Sequence, residues 1–270
     1  MPGSASSAEA AAFRLDEVRR FYDHWTPVLV EAAGTTLQAG LVKRSADDAV
    51  GPETSSGYLA GLAGVAPGDR VLDAGCGVGG PAMAIARALP GVVVDGVTVS
   101  EVQAGMARRF VVEAELADRV RISVADFHRL PFADASFDVV VFFEVTGYSP
   151  DLEALYGEAA RVVRRGGTVY VKDTFRQEGP LTDEQSECMT AHDELWACAR
   201  TATLGETATA MRAAGLTDVR HRELPFVDRE QFFESMVTRD DGGMKLNAFG
   251  RAFLRLGEVP IVFGEVKARR

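Results

Sequence analysis

Cysteine and histidine are scarce in this chain, which limits the metal and redox chemistry that it can support. Its 270 residues include three cysteines and four histidines. The cysteines are odd in number and form no C-x-x-C pair, so they indicate neither a disulfide framework nor a zinc site. No histidine belongs to an H-x-x-x-H pattern, so we expect no metal centre built from side chains. The residues concerned are Cys76, Cys188, Cys198, His24, His128, His192 and His221.

Long apolar runs and clustered positive charge are also missing. No run of about 18 apolar residues is present, and Met1–Ala12 is small and polar, unlike a signal peptide. Lys and Arg total 29 against 39 Asp and Glu, a net charge of −10. The scattered basic residues argue against nucleic acid or an anionic membrane as partner. We expect a cytoplasmic protein that acts on a small molecule, alone or as a homodimer.

The most informative stretch of the sequence is a glycine-rich turn between a predicted strand and a predicted helix. Val71–Ala74 is apolar enough for a buried strand, and Pro81–Leu89 consists of good helix formers with proline in its first turn. Between them, Gly75, Gly77 and Gly80 satisfy G-x-G-x-x-G. Such glycines let the backbone approach a ligand at the helix N-terminus. The pattern predicts an adenosine cofactor without separating NAD from other ligands.

The acid before the first glycine favours one of these cofactors. S-adenosylmethionine (SAM) carries an ammonium and a sulfonium but no pyrophosphate, so a carboxylate at Asp73 suits it and would repel the phosphates of a dinucleotide. The resulting D-x-G-x-G resembles motif I of the class I SAM methyltransferases. Asp95, about 20 residues past Gly75, keeps the NAD alternative open as the usual ribose acid.

Further motifs of the same family follow in the expected order. Gly96–Gln103 resembles the G-V-T-x-S-x-x-Q variant of sterol, tocopherol, cyclopropane-fatty-acid and prenyl-diphosphate methyltransferases. Ala125–Asp138 resembles the family's A-D-x-x-x-L-P-F-x-D-x-S-F-D stretch. The resemblance covers about residues 55 to 175. It implies that the cofactor is held by Asp73, Gly75 and Gly77 at the turn, by Thr98, Ser100 and Gln103 at the ribose or methionine end, and by Asp126 and Phe127 at the adenine.

Strand and helix patterns alternate from Asp69 to Asp173, which predicts a parallel sheet with helices on both faces. Glycines at 166 and 167 predict a glycine-ended helix that enters the next strand. The family resemblance implies an α/β, Rossmann-like, seven-stranded and mostly parallel sheet whose last strand is antiparallel. We expect a helical N-terminal lid over residues 1–50 and a SAM-binding domain over residues 51–270. We also expect two inserted lid elements. The first, at about 175–203, is predicted to be irregular. The second, at 229–256, is predicted to be helical, with its Phe and Met residues packed in the core.

Glu144 is the leading candidate for catalysis. It closes the predicted strand Val139–Phe143, and Phe143–Asp151 looks like the E-x-T-x-x-x-P-D stretch of sterol C-methyltransferases. Methylation of an alkene carbon forms a carbocation, which needs nearby negative or π charge and then a base. We expect Glu144 to be that base, with a role in holding the SAM ammonium as the alternative.

Aromatic residues near the N-terminus point to the same chemistry. Phe21–Thr26 resembles the Y-Y-D-x-x-T opening of sterol and fatty-acid C-methyltransferases, in which the tyrosine lies near the sulfonium. Tyr22 would take that place, and Trp25 and Tyr148 would complete an aromatic wall. The segment that follows keeps a glycine and Gln38 but lacks the family's G-W-G and H-F run, which puts a sterol acceptor in doubt.

Four basic residues are candidates to clamp a diphosphate together with Mg²⁺. They are Lys43, Arg44, Lys172 and Arg176, and each is also explained as a solvated surface charge. We expect a SAM-dependent C-methyltransferase acting on a small apolar, isoprenoid-like alkene, with or without a diphosphate. Two alternatives stay open: an O- or N-methyltransferase that uses His24 or His192 as base, and a SAM-binding protein with a non-methylating reaction such as cyclisation.

Overall fold

The computed structural model describes residues 7–228, 237–240, 243–246 and 259–270. The helices are α1 (Ser7–Ala33), α2 (Pro52–Ala63), α3 (Gly80–Ala88), α4 (Glu101–Glu113), α5 (Leu152–Val162), α6 (Asp183–Leu195) and α7 (Leu204–Ala213), with a short 3₁₀ helix at Thr146–Tyr148. The strands are β1 (Leu41–Val42), β2 (Arg70–Ala74), β3 (Val93–Thr98), β4 (Val120–Val124), β5 (Phe137–Phe143), β6 (Val163–Arg176), β7 (Thr217–Glu223), β8 (Val227–Asp228), β9 (Val237–Asp240), β10 (Gly243–Leu246) and β11 (Ile261–Arg269).

Seven of these strands form one sheet in the order β4-β3-β2-β5-β6-β11-β7. The first five are parallel, whereas β11 pairs antiparallel with both β6 and β7. The seven-stranded, Rossmann-like sheet predicted from the sequence is therefore confirmed, including its antiparallel last strand. Two short antiparallel pairs, β1 with β8 and β9 with β10, lie outside it.

Residues of β5 alternate between two hydrophobic cores, one on each face of the sheet. Val139 and Val141 belong to the core that α2, α3 and α4 complete. Val140 and Phe142 belong to the core that α5 and α7 complete. Successive side chains of a strand point to opposite faces, so a continuous apolar run is what a strand covered on both sides requires.

The chain order places a ligand crevice at the carboxyl end of β2. From β2 the sheet is built outward in one direction through β3 and β4 and in the other through β5, and ligands of open α/β sheets bind at such a switch point. The turn after β2 is fixed there because the N–H groups of Gly75 and Cys76 both donate to the Val97 carbonyl, at 2.9 and 2.8 Å. Gly75 has φ +95°, and a side chain there would lie 2.7 Å from Val145.

Two local predictions were wrong. Helix α5 ends at Val162 and strand β6 begins at Val163, before the glycines. The helix therefore has no glycine end, and Gly166, at φ +74°, donates its N–H to the Arg270 carbonyl at 2.9 Å. Residues 175–203 were predicted to be irregular but contain α6, whose first turn is closed by a capping box between Thr182 and Gln185.

The second predicted lid element is described only in part. Residues 229–236, 241–242 and 247–258 lie outside the described residues, and so do Phe232, Phe233, Met236, Phe249 and Phe253 of the predicted helix core. Met244 lies in strand β10 instead of a helix. None of the described helices combines the length and the apolar character that crossing a membrane requires.

The segment after α1 crosses the start of α3 at close range. A Cβ on Gly80 would overlap the Thr35 carbonyl and would lie 2.7 Å from Oγ1 of Thr36. Helix α1 itself is tied to the loop after β3, where Oγ of Ser100 donates to Asp23 at 2.5 Å. The N-terminal segment is therefore held over the carboxyl end of the sheet by the close approach at Gly80 and by a partly buried hydrogen bond.

This close approach makes Gly80 sensitive to substitution. We expect Gly80→Ala to destabilise the protein by about 1–3 kcal/mol, the usual cost of overpacking, because the backbone at Thr35 must move. Gly61→Ala is the matched control, since Gly61 is an exposed α2 glycine with no atom within 4 Å of its added Cβ. Urea unfolding of both variants measures the difference, and equal stabilities would contradict the close packing.

Candidate functional site

Two adjoining cavities lie at the carboxyl ends of β2, β3 and β5. The larger has a volume of about 470 Å³ and the smaller about 120 Å³. Their common walls are formed by Tyr22, Leu37, Gln38, Glu144 and Tyr148. The geometry therefore suits two ligands that react with each other across this boundary, which we call the junction.

Asp73 forms part of the larger cavity, next to the glycine turn. Its side chain is 1% exposed, and Oδ2 is buried with no hydrogen-bond partner among the described residues. Burial raises the pKa of Asp73 to about 7. Gly75 and Gly77 line the same cavity, as the sequence predicted. A buried carboxylate without a partner is an attractive position for a cationic ligand group.

The segment predicted to hold the ribose forms a hydrogen-bonded chain. Oγ1 of Thr98 donates to Oε1 of Gln103 at 2.6 Å, and both residues line the larger cavity. Ser100 caps α4 by accepting from the Gln103 N–H at 3.0 Å and does not line that cavity. Its predicted contact with the cofactor stays a prediction.

The predicted adenine acid has a partner that the sequence did not reveal. Oδ1 of Asp126 accepts from the backbone N–H of His128 at 2.9 Å and lies 2.8 Å from its Nδ1. On the other side, Nε2 of His128 lies 2.8 Å from Oγ of Ser149. Burial raises the pKa of Asp126, but the hydrogen bonds from His128 outweigh it and lower the pKa overall. His128 thus fixes the carboxylate next to Phe127, and all three line the larger cavity.

The NAD alternative is not supported by the position of Asp95. This residue lies inside β3, three residues before the strand ends at Thr98, and accepts from Nη2 of Arg70 at 3.0 Å. It lines neither cavity. An acid that binds ribose must reach past the strand end, which Asp95 does not.

Glu144 follows β5 directly and has a left-handed backbone conformation, with φ +56°. Oε2 accepts from the backbone N–H of Ala39 at 2.5 Å, and Oε1 forms an ion pair with Nζ of Lys172. Lys172 is fully buried, and its ammonium also donates to the Gly40 carbonyl at 2.7 Å. Both carboxylate oxygens are therefore fixed at the junction, while the role of Glu144 as a base stays a prediction.

Asp173, the residue after Lys172, organises the turn that carries Glu144. Oδ2 accepts from the N–H groups of Val145 and Thr146, at 3.1 and 2.9 Å, and from the Thr146 hydroxyl at 2.8 Å. Burial, and next the charge of Glu144, raise the pKa of Asp173 to about 6. No local pattern marks this residue, because its partners are nearly thirty positions away in the chain.

Two tyrosine hydroxyl groups meet at the junction. Tyr22 and Tyr148 are hydrogen-bonded to each other through their hydroxyls, and their ring centroids lie 5.5 Å apart at an angle of 78°. Burial raises the pKa of both phenols well above the ordinary value, so they stay neutral. Of the predicted aromatic wall of Tyr22, Trp25 and Tyr148, the two tyrosines lie as adjacent rings at the junction, whereas Trp25 lines neither cavity.

The four predicted substrate-binding residues lie away from both cavities. His24 is exposed and packs edge-on against Trp25, with centroids 4.9 Å apart. Arg44 lies over the ring of Tyr58 at 5.5 Å. Arg176 donates to the carbonyls of residues 177 and 179 at 3.0 and 3.1 Å. Binding of substrate by these residues stays a prediction without a contact to support it.

Comparison with known families finds a methyltransferase domain in the chain. Residues 72–171 match the family model described as a methyltransferase domain. Over these residues the chain is similar to the class I SAM-dependent methyltransferases. The matched part runs from β2 into β6 and includes the glycine turn, Thr98, Asp126 and Glu144.

Relatives of known activity include both carbon and oxygen methyltransferases. A sterol 24-C-methyltransferase of Gibberella zeae is 35% identical over 173 residues, which cover 63% of this chain and 45% of that protein. The 27-O-demethylrifamycin SV methyltransferase of Amycolatopsis mediterranei is 36% identical over 168 residues, 61% of each chain. The chain therefore spans less than two thirds of the length of either relative.

Solved structures share the fold over nearly the whole chain. The [4+2]-cyclase SpnF has a TM-score of 0.77 at 22% identity and covers 95% of this chain and 96% of its own. Geranyl diphosphate C-methyltransferase from Streptomyces coelicolor A3(2), solved with Mg²⁺, geranyl diphosphate and S-adenosyl-L-homocysteine (SAH), has a TM-score of 0.72 at 22% identity and covers 95% and 98%. These matches show that the chain shares this fold.

The residues of the larger cavity fit SAM. Asp73 offers a buried carboxylate without a partner to a cationic ligand, and Gly77 leaves open space beside Gln103. Asp126 offers a fixed acceptor for the adenine amino group. The described residues include no group of three or more His, Cys, Asp or Glu side chains arranged to hold a metal ion.

The raised pKa of Asp73 makes SAM binding dependent on pH. Only the ionised carboxylate attracts a cation, so affinity for SAM should rise about eightfold between pH 6 and pH 7.5, as expected for a single group of pKa about 7. Asp73→Asn should remove this rise. Isothermal titration calorimetry with SAM over this range measures it, and an equal rise in Asp73→Asn would contradict the assignment.

The same group has the opposite effect on the stability of the ligand-free protein. In the unfolded chain Asp73 loses its proton near its ordinary pKa of 3.8, whereas the folded protein retains it until about pH 7. The folded state then binds more protons, so the contribution of Asp73 to stability falls as pH rises between these values. Thermal unfolding of the ligand-free Asp73→Asn variant should therefore not show this decrease in stability as the pH rises.

Proposed function

We propose that this methyltransferase transfers a methyl group from SAM to an alkene carbon of a small, largely apolar, isoprenoid-like acceptor. In this proposal the larger cavity holds SAM and the smaller cavity holds the acceptor. The observation that carries it is the shared wall of the two cavities at Tyr22, Gln38, Glu144 and Tyr148. Resemblance to a sterol 24-C-methyltransferase supports carbon as the methylated atom.

SAM, when bound, supplies an electrophilic methyl group. The protein must then align the acceptor and exclude water, which is where most of the rate of such a displacement arises. Helix α1 contributes Leu15, Val18 and Tyr22 to the larger cavity, and the segment at Thr35–Gln38 covers it further. The side chains that close the reaction space are therefore mainly apolar.

Methylation of an alkene carbon leaves a positive charge on the neighbouring carbon. The faces of aromatic rings stabilise such a charge, and the smaller cavity is lined by Tyr22, Tyr148, Trp196 and Phe263. We propose that a proton is then lost from an adjacent carbon to the carboxylate of Glu144, and the electrons of that C–H bond restore a double bond. Lys172 and the N–H of Ala39 hold the carboxylate in place for this transfer.

Methylation of a hydroxyl oxygen is the second candidate, and a specific residue favours it. His192 is buried, lines the smaller cavity and lies with Nδ1 3.1 Å from Oδ1 of Asp193. A histidine oriented by a carboxylate is the usual base for removing a hydroxyl proton. The similarity to 27-O-demethylrifamycin SV methyltransferase supports the same candidate.

Products from a panel of alkenes and phenols, incubated with SAM, separate the two candidates. We expect C-methylated alkenes, with turnover lowered at least about 100-fold in Glu144→Gln, as for loss of a general base. Turnover should be unchanged in His192→Asn. Glu153→Gln, at an exposed position of α5, is the matched control. SAH affinity, measured for every variant, checks that the cofactor site is intact.

Two results would contradict carbon methylation. In the first, all products are methyl ethers and the His192→Asn variant loses turnover. The other is unimpaired turnover by Glu144→Gln with SAH binding intact, which would remove Glu144 as the base.

A further inference from the structure

Gln38 has a buried hydrogen-bond donor that no described protein group satisfies. The residue lies between α1 and β1, is 6% exposed and lines both cavities at the junction. Its Nε2 atom is buried without a partner among the described residues. Buried amide groups nearly always have a partner, so an unsatisfied one at the wall of a cavity indicates a ligand atom.

The orientation of the Gln38 amide follows from its other neighbour. Oε1 faces the ammonium of Lys172 at 3.5 Å, and an ammonium can only donate hydrogen bonds. Lys172 is itself held by Glu144 and by the Gly40 carbonyl. The amide oxygen therefore points to Lys172, and the NH₂ group is left for the ligand. Only an acceptor atom, such as an oxygen, can satisfy it.

The charges around the smaller cavity indicate what kind of oxygen this is. Glu144 and Asp173 line the cavity with carboxylates. No Lys or Arg is among the described residues that line it. Arg44 and Arg176 lie elsewhere, and the buried ammonium of Lys172 is already engaged by Glu144. A diphosphate in this cavity would face carboxylates without a compensating cation, which is strongly unfavourable.

We propose that the acceptor is an uncharged molecule that carries an oxygen atom near the methylated carbon, and that Gln38 donates a hydrogen bond to this oxygen. The inference rests on the proposed function, since it assigns the smaller cavity to the acceptor. It separates this methyltransferase from the structurally similar enzyme solved with geranyl diphosphate and Mg²⁺. An alcohol, ether or carbonyl group fits, whereas a diphosphate does not.

Three related probes test this proposal on the SAH complex. They are geraniol, geranyl diphosphate with and without Mg²⁺, and the hydrocarbon 2,6-dimethylocta-2,6-diene, whose affinities are measured by calorimetry. We expect geraniol to bind at least about tenfold more tightly than either of the others, the usual effect of satisfying one buried donor. Because SAH binding is measured first, its failure in the wild type would count against the proposed function and not against this inference.

Substitution of Gln38 identifies the donor. Gln38→Met keeps the side-chain length but removes the amide, and we expect about tenfold weaker binding of geraniol with unchanged affinity for the hydrocarbon and for SAH. Gln177→Met, at an exposed position, is the matched control and should change none of the three.

Several outcomes would overturn the inference. Tighter binding of geranyl diphosphate than of geraniol would show that the acceptor site takes an anion. Weaker SAH binding by Gln38→Met would assign the donor to the carboxylate of the cofactor. Failure of all three probes to bind the SAH complex would also contradict an uncharged acceptor of this size.

Discussion

The buried ion pair between Glu144 and Lys172 connects the parts on which the site depends. Glu144 directly follows β5, Lys172 lies in β6, and both contact the segment that follows α1, through the Ala39 N–H and the Gly40 carbonyl. Removing two charges from water is costly, and the pair recovers this cost only because backbone groups satisfy the remaining hydrogen-bonding positions. One pair therefore joins the sheet to the N-terminal segment at the boundary between the two cavities.

This arrangement has consequences for the chemistry of the site. The negative charge of Glu144 is balanced by Lys172, so the junction presents a fixed carboxylate next to two neutral phenols, Tyr22 and Tyr148. Asp173 holds the turn after Glu144 through three hydrogen bonds to one of its oxygens. Glu144 thus lies directly after a strand of the sheet, whereas Tyr22 is contributed by helix α1.

Local sequence patterns were sufficient to predict the sheet and several residues that line the larger cavity. The glycine turn after Val71–Ala74 and the alternating apolar residues of β5 depend on neighbours in the chain, and both were found in the structure. Asp73 and Thr98 lie at the carboxyl ends of parallel strands and Asp126 lies just beyond one, and these ends meet at one edge of the sheet. Their order and spacing therefore predict that they line one cavity, as they do.

Contacts between distant residues were beyond the reach of the sequence. Lysine is usually a surface residue, yet Lys172 is fully buried. Its partner Glu144 lies 28 positions earlier, directly after the neighbouring strand β5. His128 was treated as isolated, although it bridges Asp126 and Ser149. Gln38 is kept in a segment that otherwise departs from the family pattern, and the orientation of its unsatisfied amide depends on Lys172. Each of these roles arises from packing between segments.

A double-mutant cycle on Glu144 and Lys172 tests most directly whether their pair organises the junction. Glu144→Met, Lys172→Met and the double variant are compared by urea unfolding. Either single substitution leaves an unpaired buried charge and should cost about 3–5 kcal/mol, whereas the double variant should recover most of that loss. Losses that simply add in the double variant would contradict the central place of this ion pair.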